Sequence, residues 1–298
     1  MIPTFVIFLR EGIEASMIVA ILLAYLDRSG QRRHFRDVFA GVAAAFVLIG
    51  AGGAGAYLLI HHYSGSRVQT IFETVTYVIA AAALTYMTFW MQTHARTMSS
   101  ELERRSDEAL SGGARLGLGV LAFQAVGREG LETMVFTLAI VFASSSQAPS
   151  AMRSRWLLIG AVAGLAVAVA VAYWIYKLGH RLNLGRFFRV LGVLLMIFAA
   201  GLVADAVENL QKLGWLPSGH VLWNSSAVVS ESSSLGDLFH SLLGYADHPS
   251  ALQVAAWAAY VAISVAAFVR ISKRSPKPRI APAVQPIGSR GAGTLPDA

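Results

Sequence analysis

Cysteine is absent from all 298 residues, so no disulfide and no thiolate metal site can form. Charge is scarce as well. Only 14% of the residues are Asp, Glu, Lys or Arg, against roughly 25% in an ordinary soluble domain. A soluble protein of this length would need more charge to cover its surface, and with 55% hydrophobic residues and a mean hydropathy of +0.57 an integral membrane protein is the simpler account. No short alternating segments occur, which excludes a membrane β-barrel. Nothing resembles a phosphate-binding P-loop, so direct drive by ATP is not written in the chain. The first apolar run lacks a basic leader and a small-residue cleavage site, and is expected to stay as a helix rather than be cut as a signal peptide. The net charge of +7 is compatible with nucleic-acid binding, but the basic residues gather in short loops between apolar runs, where they act as topology signals; no nucleic-acid partner is expected.

What is present is a series of long apolar runs. About 20 such residues cross the hydrocarbon core as a helix, and seven segments qualify: 4–26, 38–60, 70–91, 116–143, 156–178, 187–207 and 251–271. The expected fold is therefore an all-α integral membrane protein with seven transmembrane helices in a lipid bilayer. Arg28, Arg32, Arg33 and Arg36 follow the first span; Arg96, Arg104, Arg105 and Arg115 follow the third; Lys177, Arg181, Arg186 and Arg189 follow the fifth; and Arg270, Lys273 and Arg274 open the tail. The intervening loops are poorer in cations, so the positive-inside rule puts the N-terminus outside and the C-terminus inside. Residues 1–271 are expected to form the membrane domain. Residues 272–298, rich in Pro and Gly, are expected to be a disordered cytoplasmic tail.

Two of the apolar runs are interrupted by charge in the same way. The first span holds "REGIE" (Arg10, Glu11, Gly12, Glu14) and the fourth holds "REGLE" (Arg128, Glu129, Gly130, Glu132). Ionisable residues at membrane depth are costly and mark functional sites. An odd number of steps separates the two spans, so their helices are antiparallel. That is the parity of a 3+3 inverted repeat plus a seventh helix, and such repeats place substrate sites between equivalent helices near the midplane. Glutamates three apart share a helix face. Packed face to face, the two helices would gather Glu11, Glu14, Glu129 and Glu132 into one small volume, with Gly12 and Gly130 permitting close approach. Four carboxylates and two arginines leave about two negative charges in low dielectric, which a multivalent cation would relieve. Carboxylates are hard donors that suit Mg, Ca, Mn and oxidised iron, and neither motif span contains histidine, against zinc or copper. Arg10 and Arg128 would hold the empty site together and keep binding escapable. A purely architectural Arg–Glu register device is the competing reading.

With both motifs in place the chain resembles the high-affinity iron permease family, the oxidase-dependent iron transporters. "RLNLGRFF" at 181–188 and "LLGYADHPS" at 242–250 are similar to its bacterial, EfeU-type branch. The family signature is Arg-Glu-x-x-Glu in the first and fourth of seven membrane helices. The resemblance implies a transporter and not an enzyme, moving iron ions inward across the bacterial cytoplasmic (inner) membrane. Glu11, Glu14, Glu129 and Glu132 would handle the metal beside Arg10 and Arg128, with no permanently bound cofactor. It also implies extracytoplasmic partners that oxidise or deliver iron. The fungal members carry extra acidic motifs in an outer loop. Here that loop, 208–250, offers only Glu231, Asp237, His240, Asp247 and His248 for capture. Glu73, Asp205 and Glu208 at the outer ends of their spans are further entrance candidates; interfacial charge is the plainer explanation for each. Met87, Met91 and the Gly160–Gly164 pair are expected to serve packing. A carrier of another hard cation such as Mn²⁺ remains an alternative. So does an intramembrane di-iron carboxylate enzyme, though such centres pair Glu with Glu-x-x-His.

Overall fold

A computed structural model of the chain describes residues 2–63, 65–94, 104, 117–143, 150–178, 184–217, 219–230, 233, 236, 239–240 and 243–274. Among them run seven long helices: α1 (Ile2–Arg28), α2 (Phe35–His62), α3 (Arg67–His94), α4 (Gly117–Ala143), α5 (Ser150–Leu178), α6 (Leu184–Lys212) and α7 (Ala251–Arg274). No strand occurs among the described residues; one isolated bridge joins Val221 to Ser250. Each helix overlies one of the seven apolar runs and extends into its polar flanks. Glycine ends two of them: Gly30 and Gly214 adopt φ of 70° and 75°, and the amides just beyond reach back as Gln31 N–H to Leu26 O (2.8 Å) and Trp215 N–H to Leu210 O (3.0 Å). This left-handed stop is one that a side chain would strain.

By length and composition α2, α3, α5, α6 and α7 are apolar enough to cross a bilayer. The other two, α1 and α4, are just as long at 27 residues each, about 40 Å. They are no less apolar on average, and are set apart only because each carries a motif's three charges within the span. The outward faces are greasy. Val47, Leu48 and Leu58 of α2, Leu158 and Val162 of α5, and Ile263 of α7 are all more than half exposed. A continuous apolar exterior of this kind suits lipid, not water.

Helices adjacent in sequence are mostly not the ones that pack. α1 lies most extensively on α5, α2 on α4 and α3 on α6, with α1 also crossing α4 and α7 covering α6. Directions follow from who touches whom. Val6 and Ile7 near the start of α1 share a core with Phe136, Ala139 and Ile140 near the end of α4, while Leu22 and Leu26 meet Leu118 and Ala122 near its start. The two motif helices are therefore antiparallel. α3 and α6 are antiparallel too: Arg67 Nη2 donates to Leu213 O (3.1 Å) at one end, and Gly192 faces Thr88 toward the other. In contrast α1 runs parallel to α5 and α2 parallel to α4.

Glycine sets these close approaches. A Cβ on Gly41 would strike Gly119 O of α4, and one on Gly164 would stand 2.5 Å from Phe5 O of α1. Of the Gly160–Gly164 pair, Gly164 thus serves helix contact, as expected, and Met87 and Met91 are buried against Ile13 and Ala168. The motif glycines also permit close approach, but not of the motif helices to each other. A Cβ on Gly12 would lie 2.8 Å from Ala168 Cβ of α5, and one on Gly130 would collide with Ile49 Cδ1 of α2. The reason is geometric: on each helix the glycine points away from the carboxylate face, toward the parallel neighbour.

Candidate metal site

The crossing of α1 and α4 brings charge to the centre of the bundle. Arg10, Glu11, Glu14 and Glu129 are all buried, with 2%, 2%, 1% and 5% of their surfaces exposed. Glu11, Glu14 and Glu129 each offer one oxygen within 4.8 Å of the other two, an arrangement no other three His or acidic side chains match among the described residues. Arg10 is clamped between its own glutamates: Nη1 donates to Glu11 Oε1 at 2.9 Å, and Nε stands 3.4 Å from Glu14 Oε1. One oxygen on each of the four motif glutamates, namely Glu11 Oε2, Glu14 Oε1, Glu129 Oε2 and Glu132 Oε2, is buried without a hydrogen-bond partner. Buried carboxylate oxygens are normally satisfied, because desolvating them unpaired is expensive. The three carboxylates of Glu11, Glu14 and Glu129, each with an oxygen within 4.8 Å of the other two, have the composition of a cation site built only from oxygen, and its hardness fits a di- or trivalent ion that prefers carboxylate.

The fourth motif glutamate departs from the expected symmetric cluster. Glu132 accepts from Arg128 Nε at 3.2 Å, and its side chain is 19% exposed. Arg128 is not held as Arg10 is. Its Nε is 4.0 Å from Glu129 Oε1, its side chain is 46% exposed, and its guanidinium carbon sits 5.1 Å from the ring centroid of Trp90 on α3. The planar cation spreads over the indole face, so Arg128 is shared between Trp90 and Glu132 whereas Arg10 is enclosed by its own glutamates. The sequence gives no signal for Trp90, since a tryptophan near the end of a span is ordinarily an interfacial anchor.

The entrance candidates occupy the end of the bundle where α1 starts and α6 finishes. Glu73 accepts from Gln69 Nε2 (2.7 Å), and Glu208 is bound by Lys212 Nζ (2.6 Å) and Gln253 Nε2 (3.0 Å). Asp205 is buried with His240 Nε2 3.9 Å away, while His240 Nδ1 lies 2.8 Å from Tyr245 O. A pocket of about 330 Å³ opens beside them, lined in part by Glu208, Lys212, Asp247 and His248. Each of these groups has its own polar partner, and among the described residues they do not converge three to a point. Glu231 and Asp237 lie outside the described residues.

This geometry agrees with what known proteins resemble the chain. A match to the iron permease FTR1 family spans residues 1–273. The chain belongs to that family. The ferrous iron permease EfeU of Escherichia coli O157:H7 is 36% identical over 275 residues, covering 90% of this chain and 95% of its own length. EfeU of Shigella sonnei matches to the same extent, and EfeU of Yersinia pestis is 33% identical over 267 residues, covering 88% and 90%. No solved structure matches. The family is one of permeases, so the chain is a transporter and not an enzyme. Together with its apolar helices this makes it a multi-pass membrane protein.

Proposed function

We propose that the chain carries iron into a bacterial cell across the cytoplasmic membrane, as the ferrous ion for which its relatives are named, through the carboxylates of the two Arg-Glu-Gly-x-Glu motifs. The observation that carries this reading is the buried trio of Glu11, Glu14 and Glu129, whose carboxylates come within 4.8 Å of one another and each keep an oxygen that accepts no hydrogen bond. An ion that leaves its water for these oxygens removes the cost of three desolvated carboxylates. Glu132 and Arg128 stand beside the trio as a second rank. Arg10, by holding Glu11 and Glu14 together, keeps their oxygens converged between one ion and the next. The absence of His from the trio favours transport over the di-iron enzyme reading.

The architecture we assign is seven spans, with residues 1–271 as the permease domain, the N-terminus outside, and residues 272–298 as a cytoplasmic tail. The first six helices form two inverted halves, α1–α3 and α4–α6. The exchange of partners supports this division: the first helix of each half packs in parallel on the second helix of the other, while α1–α4 and α3–α6 pair equivalent helices antiparallel. Entry would begin at the end bearing Glu73, Asp205 and Glu208, where outer proteins that oxidise or deliver iron would meet the permease.

Reconstitution into liposomes tests the function. Purified protein should raise initial uptake of ferrous iron well above protein-free vesicles, with manganese competing only weakly. Equal or preferential uptake of Mn²⁺ would reassign the substrate. Iron turnover without uptake would restore the enzyme reading.

A further inference from the structure

Arg128 poses a problem that its ion pair with Glu132 does not answer. It is the twelfth residue of α4, about 16 Å from the helix start and so close to the middle of a hydrocarbon core about 30 Å thick. Yet its side chain is nearly half exposed. It does not reach toward the nearer membrane surface as a snorkelling arginine would, because Nε is bound to Glu132, one turn further from the helix start, and the guanidinium lies over Trp90. Nor is it alone. Val120, Gln124, Arg128 and Leu131 occupy successive turns of α4, and all four are exposed. Around the helix this strip falls between the Gly127–Gly130 edge that meets α2 and the Arg128 edge that meets Trp90 of α3. Although α2 and α3 both pack on α4, they scarcely touch each other. The strip is therefore exposed between two helices that do not close over it, so that α2 and α3 would form the walls of a cleft with the strip as its floor. Hydrocarbon would be a hostile filling for an arginine and a glutamine one turn apart.

We propose that this cleft is water-filled and is the passage by which the ion leaves the carboxylate site for the end of the bundle that carries Arg28, Arg32, Arg33 and Arg36. Gln124 is a polar lining residue one turn below the site, and Trp90 forms the opposite wall. At the start of α4 the strip reaches that arginine-rich end, where Gly119 abuts Asp37 O at the beginning of α2. In the other direction it leads directly to Glu132 and, behind it, Glu129. On α1 the equivalent strip is open only at its outermost residue, Ile2, and is closed beside the site, where Val6, Arg10 and Ile13 are all buried. Access to the centre is therefore one-sided in this conformation. Arg128 stacked on Trp90 marks the open side, and Arg10 clamped by Glu11 and Glu14 marks the shut one. The inference depends on the transport reading for its direction of use, but not for the presence of water.

The cysteine-free chain makes the test direct. Single cysteines at Val120, Gln124 and Leu131, with Val47→Cys on the outward face of α2 as the control, are reconstituted and exposed to a charged, membrane-impermeant thiosulfonate from one side at a time, without iron. A thiol reacts through its thiolate, which needs water, so the three strip positions should react at least about tenfold faster than Val47→Cys. They should do so only from the face bearing the loop after α1, with rates falling from Val120→Cys to Leu131→Cys. The proposal is overturned if the strip reacts as slowly as the control, as it would when covered by lipid or by a second copy of the chain, or if it reacts from the opposite face. Failure of iron uptake in the liposomes would leave this labelling pattern unchanged, so the two readings fail separately.

Discussion

Arg10 and Arg128 hold the same place in two copies of one motif and make different contacts, which ranks the four glutamates. Glu11, Glu14 and Glu129 converge, while Glu132 is drawn off by Arg128. Replacing any of the first three by Gln keeps shape and removes the charge, and each change should abolish iron uptake with insertion intact. Glu132→Gln removes a supporting partner and should cost roughly 10–100-fold in affinity instead. Initial rates in cells, normalised to membrane abundance by immunoblot, separate the two outcomes, and equal loss at all four would restore the symmetric cluster. Ligand carboxylates must be ionised to bind, so protons compete with the ion and affinity should fall as pH drops from 7 toward 5. Binding heats measured in buffers of different ionisation enthalpy count the protons released. The motif residues themselves were legible in the chain because charge inside an apolar run demands a cause. The inequality of the two arginines was not, because Arg128 lies over Trp90, a residue 38 positions earlier in the sequence whose proximity only the packed structure reveals.

At the scale of helices, the seven apolar runs were readable directly, and each one is a helix. Their partners were not. Small residues such as Gly12, Gly41 and Gly164 announce that something comes close without saying what, and the expectation that Gly12 and Gly130 would face each other gave way to contacts with α5 and α2. In lipid, helix association rests on packing more than on burial of apolar surface, so these contacts are expected to dominate stability. Gly12→Ala places a methyl 2.8 Å from Ala168 Cβ. It should destabilise the protein by about 1–3 kcal/mol, the usual cost of overpacking. Ala168→Gly in the same chain should restore most of the loss, a coupling that a double-mutant cycle of melting temperatures in detergent would expose. Additive effects would mean that α1 and α5 do not meet there.

For the whole molecule, the orientation we propose rests on loop charge, and the inverted repeat we propose rests on the antiparallel motif helices. The arginine-rich turn after α1 and the long connection between α6 and α7 should lie on opposite sides of the membrane. Ser29→Cys should therefore react with an impermeant thiol reagent only after permeabilisation, and Ala227→Cys should react in intact cells. Labelling of position 29 from outside would invert the molecule and the direction of transport with it. The fold class and the site were open to sequence reasoning because both are written in the spacing of charge along apolar runs. The one-sided access was closed to it, because Gln124 is unremarkable until the faces covered by α2 and α3 are known.

The central claim is that Glu11, Glu14 and Glu129 together bind the transported ion. Anaerobic calorimetric titration of the purified protein with ferrous iron tests it most directly. The account predicts saturable binding by the unaltered chain and its loss in Glu14→Gln, with the variant eluting and melting as a folded protein. Undiminished binding by Glu14→Gln would contradict it.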